Sequence, residues 1–236
     1  SNIRHDNTLA RPLRDYGPKD RVDVVLTNPP FGGMEEDGIE NNFPASFRTR
    51  ETADLFLVLL LTLLKPGGRA ALVLPDGTLF GEGIKTRIKE KLLAECDLHT
   101  IVRLPKGVFN PYTGIKTNLL FFTKGEPTKH VWFYEHPYPA GYKSYSKTKP
   151  LRIEEFAAEK KWWNKRKEND HAWKVSLEEI QARNYNLDIK NPRAADDGPG
   201  DAEELLKEYR EAAAAAAKIR DQLRDELRKA LEGASR

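Results

Sequence analysis

The tetrapeptide NPPF at residues 28–31 combines residue types that can hold one particular chemical group. Asn28 has a side-chain carbonyl, and Pro29 is followed by Pro30, which confines the Pro29 backbone to the extended region and fixes its carbonyl. Two acceptors held side by side suit a planar amino group, which has two hydrogens to donate. Phe31 adds a flat apolar face on which a ring can stack. The tetrapeptide therefore predicts a pocket for an aromatic ring with an amino group.

The same arrangement can promote a reaction. The amino nitrogen of adenine is a poor nucleophile because its lone pair is delocalised into the ring. Accepting both N–H bonds outside the ring plane favours a more tetrahedral nitrogen, whose lone pair points at an electrophile. The plain structural alternative is a strand that ends in a proline turn beside a core phenylalanine.

A strand must position this tetrapeptide. Residues 22–27 (VDVVLT) form a short apolar run that is rich in β-branched side chains and stops at the two prolines. This pattern predicts a buried parallel strand. Ligands of open α/β sheets bind outside the carboxyl ends of the strands, which is where the tetrapeptide falls.

Further predicted elements alternate between helix and strand. They are a helix at 52–64 with Thr52 as a candidate cap, a strand at 69–74, a helix at 83–95, strands at 99–104 and 116–123, and an extra strand at 129–134. No helix separates the strands at 99–104 and 116–123. We therefore expect an α/β fold in which a parallel sheet finishes in an antiparallel pair.

Composition excludes several classes of protein. The 236 residues suffice for one α/β domain with appendages, and 39 basic against 36 acidic residues give a net charge of only +3. The single cysteine, Cys96, excludes an internal disulfide or a cysteine-rich zinc site, and is expected to be a small buried hydrophobe. The five histidines lack ligand spacing, so no metal is predicted. Without a signal peptide or a membrane-length apolar run, the protein is expected to be cytoplasmic.

The segment 141–174 allows two interpretations. It holds ten Lys and Arg against five Asp and Glu, interleaved with six aromatic residues. Such a segment can follow a phosphate backbone and stack on bases. Alternatively, residues 154–167 form an ordinary helix with a solvated charged face, and the tryptophans pack on the main domain.

The last part of the chain is predicted to be a linker and one long helix. Residues 191–200 (NPRAADDGPG) have linker composition, and Asp201 with Glu204 resembles a capping box. Residues 202–232 then form a helix of about 46 Å that Gly233 ends. Its narrow apolar stripe either packs on its own domain or docks on a partner helix. The predicted divisions are thus 1–140, an extension at 141–190, the linker, and the helix at 201–233.

Five segments together resemble the modification subunit of type I restriction–modification enzymes, the adenine-N6 DNA methyltransferases. They occur in the family's order and are 6–10 (DNTLA), 23–33 (DVVLTNPPFGG), 64–77 (LKPGGRAALVLPDG), 114–122 (GIKTNLLFF) and 184–192 (NYNLDIKNP). NPPF alone is not specific, because enzymes that methylate ribosomal RNA guanines or protein glutamines use such a motif. The surrounding set is much narrower.

This resemblance implies a partial Rossmann-like class I methyltransferase sheet with a helical C-terminal tail. It also implies that Asn28 and the Pro29 carbonyl accept the amino hydrogens of a flipped adenine, and that Phe31 stacks on the base. The segment that begins with Lys116, Thr117 and Asn118 matches the family's strand near the target base. Asp6 corresponds loosely to the acidic position that contacts the cofactor, S-adenosylmethionine.

The sequence also departs from the family. Members have a helical N-terminal region, a glycine-rich cofactor loop after the first strand and an acidic ribose ligand, and none of these is found here. The chain therefore resembles a carboxyl-terminal half that keeps the base pocket, lacks most of the cofactor pocket and is inactive alone. The implied partners are DNA, a specificity subunit and a restriction subunit, with self-association through the last helix as a further option. The alternatives are a methyltransferase of RNA or protein glutamine, and a non-catalytic interaction module.

Overall fold

Six strands form one mixed sheet in the computed structural model of this chain, which describes residues 5–194 and 202–233. They are β1 (Val22–Thr27), β2 (Leu64–Pro75), β3 (Cys96–Arg103), β4 (Thr117–Lys124), β5 (His130–Glu135) and β6 (Ala172–Ser176). Their order is β1-β2-β4-β3-β5-β6. The pairs β1/β2 and β3/β5 are parallel, whereas β4 is antiparallel to both of its neighbours and β6 to β5. The expected α/β sheet with an antiparallel β3/β4 pair is confirmed. The extra strand predicted at 129–134 corresponds to β5, whereas β6 was not predicted.

Six α-helices are described, of which the first four lie between strands and the last two follow the final strand. They are α1 (Thr52–Leu63), α2 (Asp76–Phe80), α3 (Ile84–Glu95), α4 (Ala157–Trp163), α5 (Leu177–Ala182) and α6 (Ala202–Gly233). The helices predicted at 52–64 and 83–95 are confirmed to within one residue. The prediction of Thr52 as a cap is wrong, because Glu51 occupies the N-cap position and the Thr52 hydroxyl donates to the Gly33 carbonyl instead. The helix predicted at 154–167 is shorter, since α4 follows a 3₁₀ turn and ends at Trp163.

One face of the sheet carries the main core. The apolar side of α1 and that of α3 pack against alternate residues of β2, β3 and β4. Five of the contributing strand residues are no more than 2% exposed: Leu72, Leu74, Leu98, Leu120 and Phe122. Burial of this many large apolar side chains fixes the sheet on which the strand ends are arranged.

The first strand lies at the open edge of the sheet. β1 is parallel to β2 as predicted, but the prediction that it is buried is wrong: Val22, Val24 and Leu26 are 39%, 51% and 78% exposed. These three residues alternate along the edge strand and therefore lie on one face of the sheet, whereas Val25 on the other face packs against the core. The exposed side chains of β1 therefore lack the second layer that a central parallel strand would have.

The basic and aromatic segment belongs to the same sheet. β6 pairs with β5, and the Trp173 ring stacks on Phe133 with centroids 5.4 Å apart. Trp162 is 8% exposed and packs edge-on against Tyr134. The tryptophans thus pack on the main domain, as one of the two interpretations of residues 141–174 predicts.

The long helix forms a second unit, which is described here by itself. The chain divides between residues 193 and 194, inside the predicted linker. Helix α6 agrees with the prediction for residues 202–232, and Leu223 and Leu227 on it are 60% and 57% exposed. Asp201 with its predicted capping role, and linker residues 195–200, lie outside the described residues.

Cys96 is buried as expected, and its burial raises the pKa of the thiol to about 12. Within residues 5–194 and 202–233, no helix is both long enough and apolar enough to cross a membrane. The same ranges contain no cluster of three or more His, Cys, Asp or Glu side chains that could hold a metal ion.

Candidate active site at the carboxyl edge of the sheet

The NPPF turn begins directly where β1 ends. The Asn28 side chain is exposed to solvent, whereas Pro29 is buried. Among the described residues, neither the Asn28 amide nor the Pro29 carbonyl has a hydrogen-bond partner. The turn therefore presents two acceptors that the protein itself leaves unused.

A second aromatic ring orients Phe31. Phe31 is half-buried, and the ring of Phe109 lies against it edge to face, with centroids 5.0 Å apart and planes at 83°. Phe109 was not among the residues predicted for the site. It lies in the loop after β3, whose carboxyl end meets the same edge as the end of β1, so strand order was the one available signal.

A cavity of about 490 Å³ lies next to the turn, and we call it the turn cavity. Its walls are Gly32, Gly33, Glu51, Ala53, Pro75, Asp76, Gly77, Thr78, Phe80, Lys106, Gly114, Ile115 and Lys116. The start of α1 fixes the turn, because the Gly33 carbonyl accepts from the Thr52 N–H at 3.1 Å and from its hydroxyl at 3.0 Å. Gly32 has a φ of +64°, a left-handed conformation that favours glycine. The loop after the tetrapeptide is thus held in place.

Buried charges support the wall of this cavity. The Lys85 ammonium donates to Glu51 and to Asp54, at 2.6 Å each. Asp54 is 1% exposed, and burial raises the pKa of its carboxyl group. Lys89 is also 1% exposed and donates to two carbonyls at the end of α2, while burial lowers its pKa to about 8. These contacts tie α2 to α1 and α3.

The predicted substrate residues at the start of β4 differ in their exposure. Lys116 lines the turn cavity, whereas Thr117 and Asn118 are buried at 1% and 0% exposure. The Asn118 side-chain amide donates to the Asp76 carboxylate at 2.6 Å, and Asp76 lines the cavity. The Asp76 N–H also donates to the Lys116 carbonyl at 3.1 Å. Asn118 therefore lies behind the wall and holds a residue that forms it.

Asp6, the predicted cofactor residue, lies elsewhere. It is exposed, its carboxylate accepts from the Asn7 N–H at 2.8 Å, and it is not part of the turn cavity. The Asn7 side chain donates to Glu35 at 3.1 Å, which joins this segment to the loop after the NPPF turn. The role of Asp6 toward a cofactor stays a prediction.

Comparison with known proteins identifies the family. Residues 1–198 match the family described as N-6 DNA Methylase. The chain belongs to this family. The resemblance drawn from the five sequence segments is thereby confirmed.

Individual relatives give the same result. The methylase subunit of the type I restriction enzyme EcoEI from Escherichia coli is 62% identical over 98% of this chain and 48% of its own length. A chain solved in work on assembly and conformational transition of the type I R-M system is 36% identical, with a TM-score of 0.77 over 96% of this chain and 50% of that one. The crystal structure of the type I restriction enzyme EcoKI M protein is 27% identical, with a TM-score of 0.66 over 92% and 53%. This chain thus spans about half the length of the relatives it matches.

Proposed function

We propose that this chain supplies the target-base part of an adenine-N6 DNA methyltransferase subunit in a type I restriction–modification system. The observation that carries the proposal is the NPPF turn, which ends β1 with two unpartnered acceptors beside a cavity. Membership of the N-6 DNA methylase family and the 62% identity to a type I methylase subunit support it.

In this proposal the adenine must leave the duplex, because its amino group otherwise lies inside the base stack. The Asn28 side chain and the Pro29 carbonyl then accept its two amino hydrogens, and Phe31, oriented by Phe109, supports the ring. The acceptors stabilise the tetrahedral nitrogen of the transition state more than the planar nitrogen of the resting base. S-adenosylmethionine supplies the electrophilic methyl group when bound.

The NPPF turn offers two unpartnered acceptors to a base, whereas Asp6 is the one residue that the resemblance assigns to S-adenosylmethionine. Asp6 is exposed, and like residues 28–31 it does not line the turn cavity. The chain also covers only 48% of its EcoEI relative. We therefore place most of the cofactor pocket in residues that are not part of this chain.

Product analysis tests the proposal. The chain, extended to the full length of its relatives and mixed with its partner subunits, should convert S-adenosylmethionine and duplex DNA into N6-methyladenine, detected by mass spectrometry of the nucleosides. The chain by itself should bind S-adenosylmethionine more weakly than about 1 mM, or roughly −4 kcal/mol, in calorimetry. Methylation of ribosomal RNA or of a protein glutamine in place of DNA would contradict the assignment. Micromolar cofactor binding by the isolated chain would show that the cofactor site is misplaced.

Helix α6 is the proposed contact to another subunit, most directly the specificity subunit, with the restriction subunit as a further member of the assembly. Its exposed apolar residues Ile219, Leu223 and Leu227 support this proposal. Leu223→Asp should reduce co-purification with the specificity subunit, while Lys218→Asp, on another side of the helix, should not. Equal yields of the two variants would contradict a contact between α6 and the specificity subunit. If Leu223→Asp abolishes a homo-oligomer and leaves co-purification unchanged, the helix mediates self-association.

A further inference from the structure

A second cavity adjoins the turn cavity along the same edge of the sheet. It has a volume of about 510 Å³ and we call it the lysine cavity. Its walls are Asp76, Arg103, Leu104, Pro105, Lys106, Lys116, Glu135, His136, Pro137, Tyr138, Lys143 and His171. Asp76, Lys106 and Lys116 are part of both cavities. A ligand in the turn cavity can therefore continue into the lysine cavity.

Three lysines belong to this wall. Lys106, Lys116 and Lys143 are exposed, and none of them forms an ion pair in the part of the chain that the structure describes. They come from two segments: Lys106 and Lys116 lie at opposite ends of the loop between β3 and β4, and Lys143 follows β5. The Tyr138 hydroxyl donates to the Lys106 carbonyl at 2.8 Å, which holds the two segments together. The fold thus collects three ammonium groups at one place.

The other charged groups of the wall are already engaged. Arg103 is paired with Asp188. The Asp76 carboxylate accepts from the Asn118 amide at 2.6 Å, and the Glu135 carboxylate accepts from the Asn191 amide at 3.4 Å.

The wall also has two imidazoles. His136 contacts Glu159 through Nδ1, and the ring of His171 lies at a tilted angle to the ring of Tyr134. The amide donors do not neutralise the charges of the two wall carboxylates, but the three lysines outnumber these carboxylates. The wall therefore keeps a net positive charge, which favours a ligand that supplies an anion.

We propose that the lysine cavity binds a backbone phosphate of the DNA strand, next to the nucleotide whose base lies against the NPPF turn. This inference rests on the proposed function, because that function places a base at the NPPF turn, beside the turn cavity. A base extruded from a duplex carries its flanking phosphates with it, and lysines neutralise them as compact point charges. The shared wall formed by Lys106 and Lys116 is where base and backbone would meet.

Salt-dependent binding to DNA tests this site on the chain as it exists. The probe is a fluorescently labelled single-stranded oligonucleotide, followed by anisotropy at several salt concentrations. A variant with Lys106, Lys116 and Lys143 changed to Gln is compared with one in which Lys129, Lys147 and Lys190 are changed to Gln. All six lysines are exposed, and the control lysines lie outside both cavities. The two variants therefore lose the same charge.

The cavity variant should bind about tenfold or more weakly at low salt. Its slope of log affinity against log salt should fall by about 0.7 for each phosphate that the lysines no longer neutralise. The control variant should keep the wild-type slope. Equal slopes for the two variants, or no measurable DNA binding by the wild-type chain at low salt, would overturn the proposal.

Two further arms identify the source of the phosphate and separate this site from the proposed function. Inorganic phosphate at constant ionic strength should not bind the wild-type chain at millimolar concentration. Binding of phosphate by the wild type, with DNA affinity equal in the two triple variants, would overturn the proposal and assign the cavity to a free anion.

Asn28→Ala should leave the slope of log DNA affinity against log salt unchanged. A lysine-dependent slope in this chain, together with a full-length assembly that makes no N6-methyladenine, would retain the phosphate site and reject the methyltransferase role.

Discussion

Two polar strand ends meet at the same edge of the sheet, and they are built in opposite ways. After β1, the Asn28 side chain is exposed and has no partner in the described part of the chain. At the start of β4, Asn118 is fully buried and donates to Asp76 at 2.6 Å. The two residues are the same amino acid at the same edge of the sheet, but one is available to a ligand and the other is used by the fold.

This difference distinguishes two roles of a residue in a site: one residue acts on the substrate directly, and the other positions a neighbouring residue. A free acceptor at a fixed position can act on a substrate directly, because folding does not consume its hydrogen-bonding capacity. A buried amide acts through the residue that it holds, here Asp76, and removing the amide leaves a carboxylate without its donor. Substitutions at Asn28 and Asn118 should therefore change different observables.

The largest effect is expected at Asn28. In the full-length subunit, Asn28→Ala should lower the rate of methyl transfer by at least ~10²-fold, the usual scale for loss of a preorganised hydrogen-bonding group. The free energy of unfolding should change by less than about 0.5 kcal/mol, because the side chain is exposed. Single-turnover kinetics and urea unfolding measure the two quantities. A loss in rate of less than about threefold would remove Asn28 from the proposed chemistry.

The next effect is expected at Asn118 and concerns stability. Asn118→Ala should reduce the free energy of unfolding by about 2 kcal/mol, because it removes a buried hydrogen bond to a carboxylate. Urea unfolding of this chain at neutral pH checks the value, with Asn28→Ala as the exposed control. If Asn118→Ala keeps wild-type stability but the full-length subunit loses methyl transfer, then Asn118 contacts the substrate and the distinction drawn here fails.

A smaller effect is expected at Phe31. Phe31→Ala should lower methyl transfer by about tenfold, since stacking of an aromatic side chain on a base is worth about 1–3 kcal/mol. Phe31→Tyr keeps the ring and should retain most of the rate. If the two variants are equally impaired, the contribution of Phe31 is its packing against Phe109 and not a stacking face.

Local sequence patterns predicted the strand that places the site and, in the second unit, the long helix. The β-branched run at 22–27 and the helical period at 202–232 end within one residue of β1 and α6. The exposure of Val24 and Leu26 was not predictable, because an edge strand and a central strand share the same apolar pattern and differ only in their neighbours. Strand β6 is short and includes Lys174, so its alternation of apolar and polar residues was too weak to recognise as a strand.

The contacts within the site were less predictable than its location. The NPPF motif identified Asn28 because its residue types and its position after a strand both point to a ligand. Phe109 lies in an irregular loop, so only the strand order brings it to Phe31. That Asn118 faces Asp76 depends on the register of β4 against β2, in which Asn118 pairs with Leu74. Register of this kind is a tertiary property that one strand alone does not specify.

The most direct test of the central claim asks whether Asn28 recognises the amino group itself. The affinity of the assembled full-length subunit is measured for a target duplex with adenine and for one in which purine, which lacks the amino group, replaces it. The wild type should prefer adenine, Asn28→Ala should lose that preference, and the coupling between the two changes should be about 1 kcal/mol or more. Asn118→Ala should retain the preference. A coupling within about 0.3 kcal/mol of zero for Asn28, or a larger coupling for Asn118, would contradict the account.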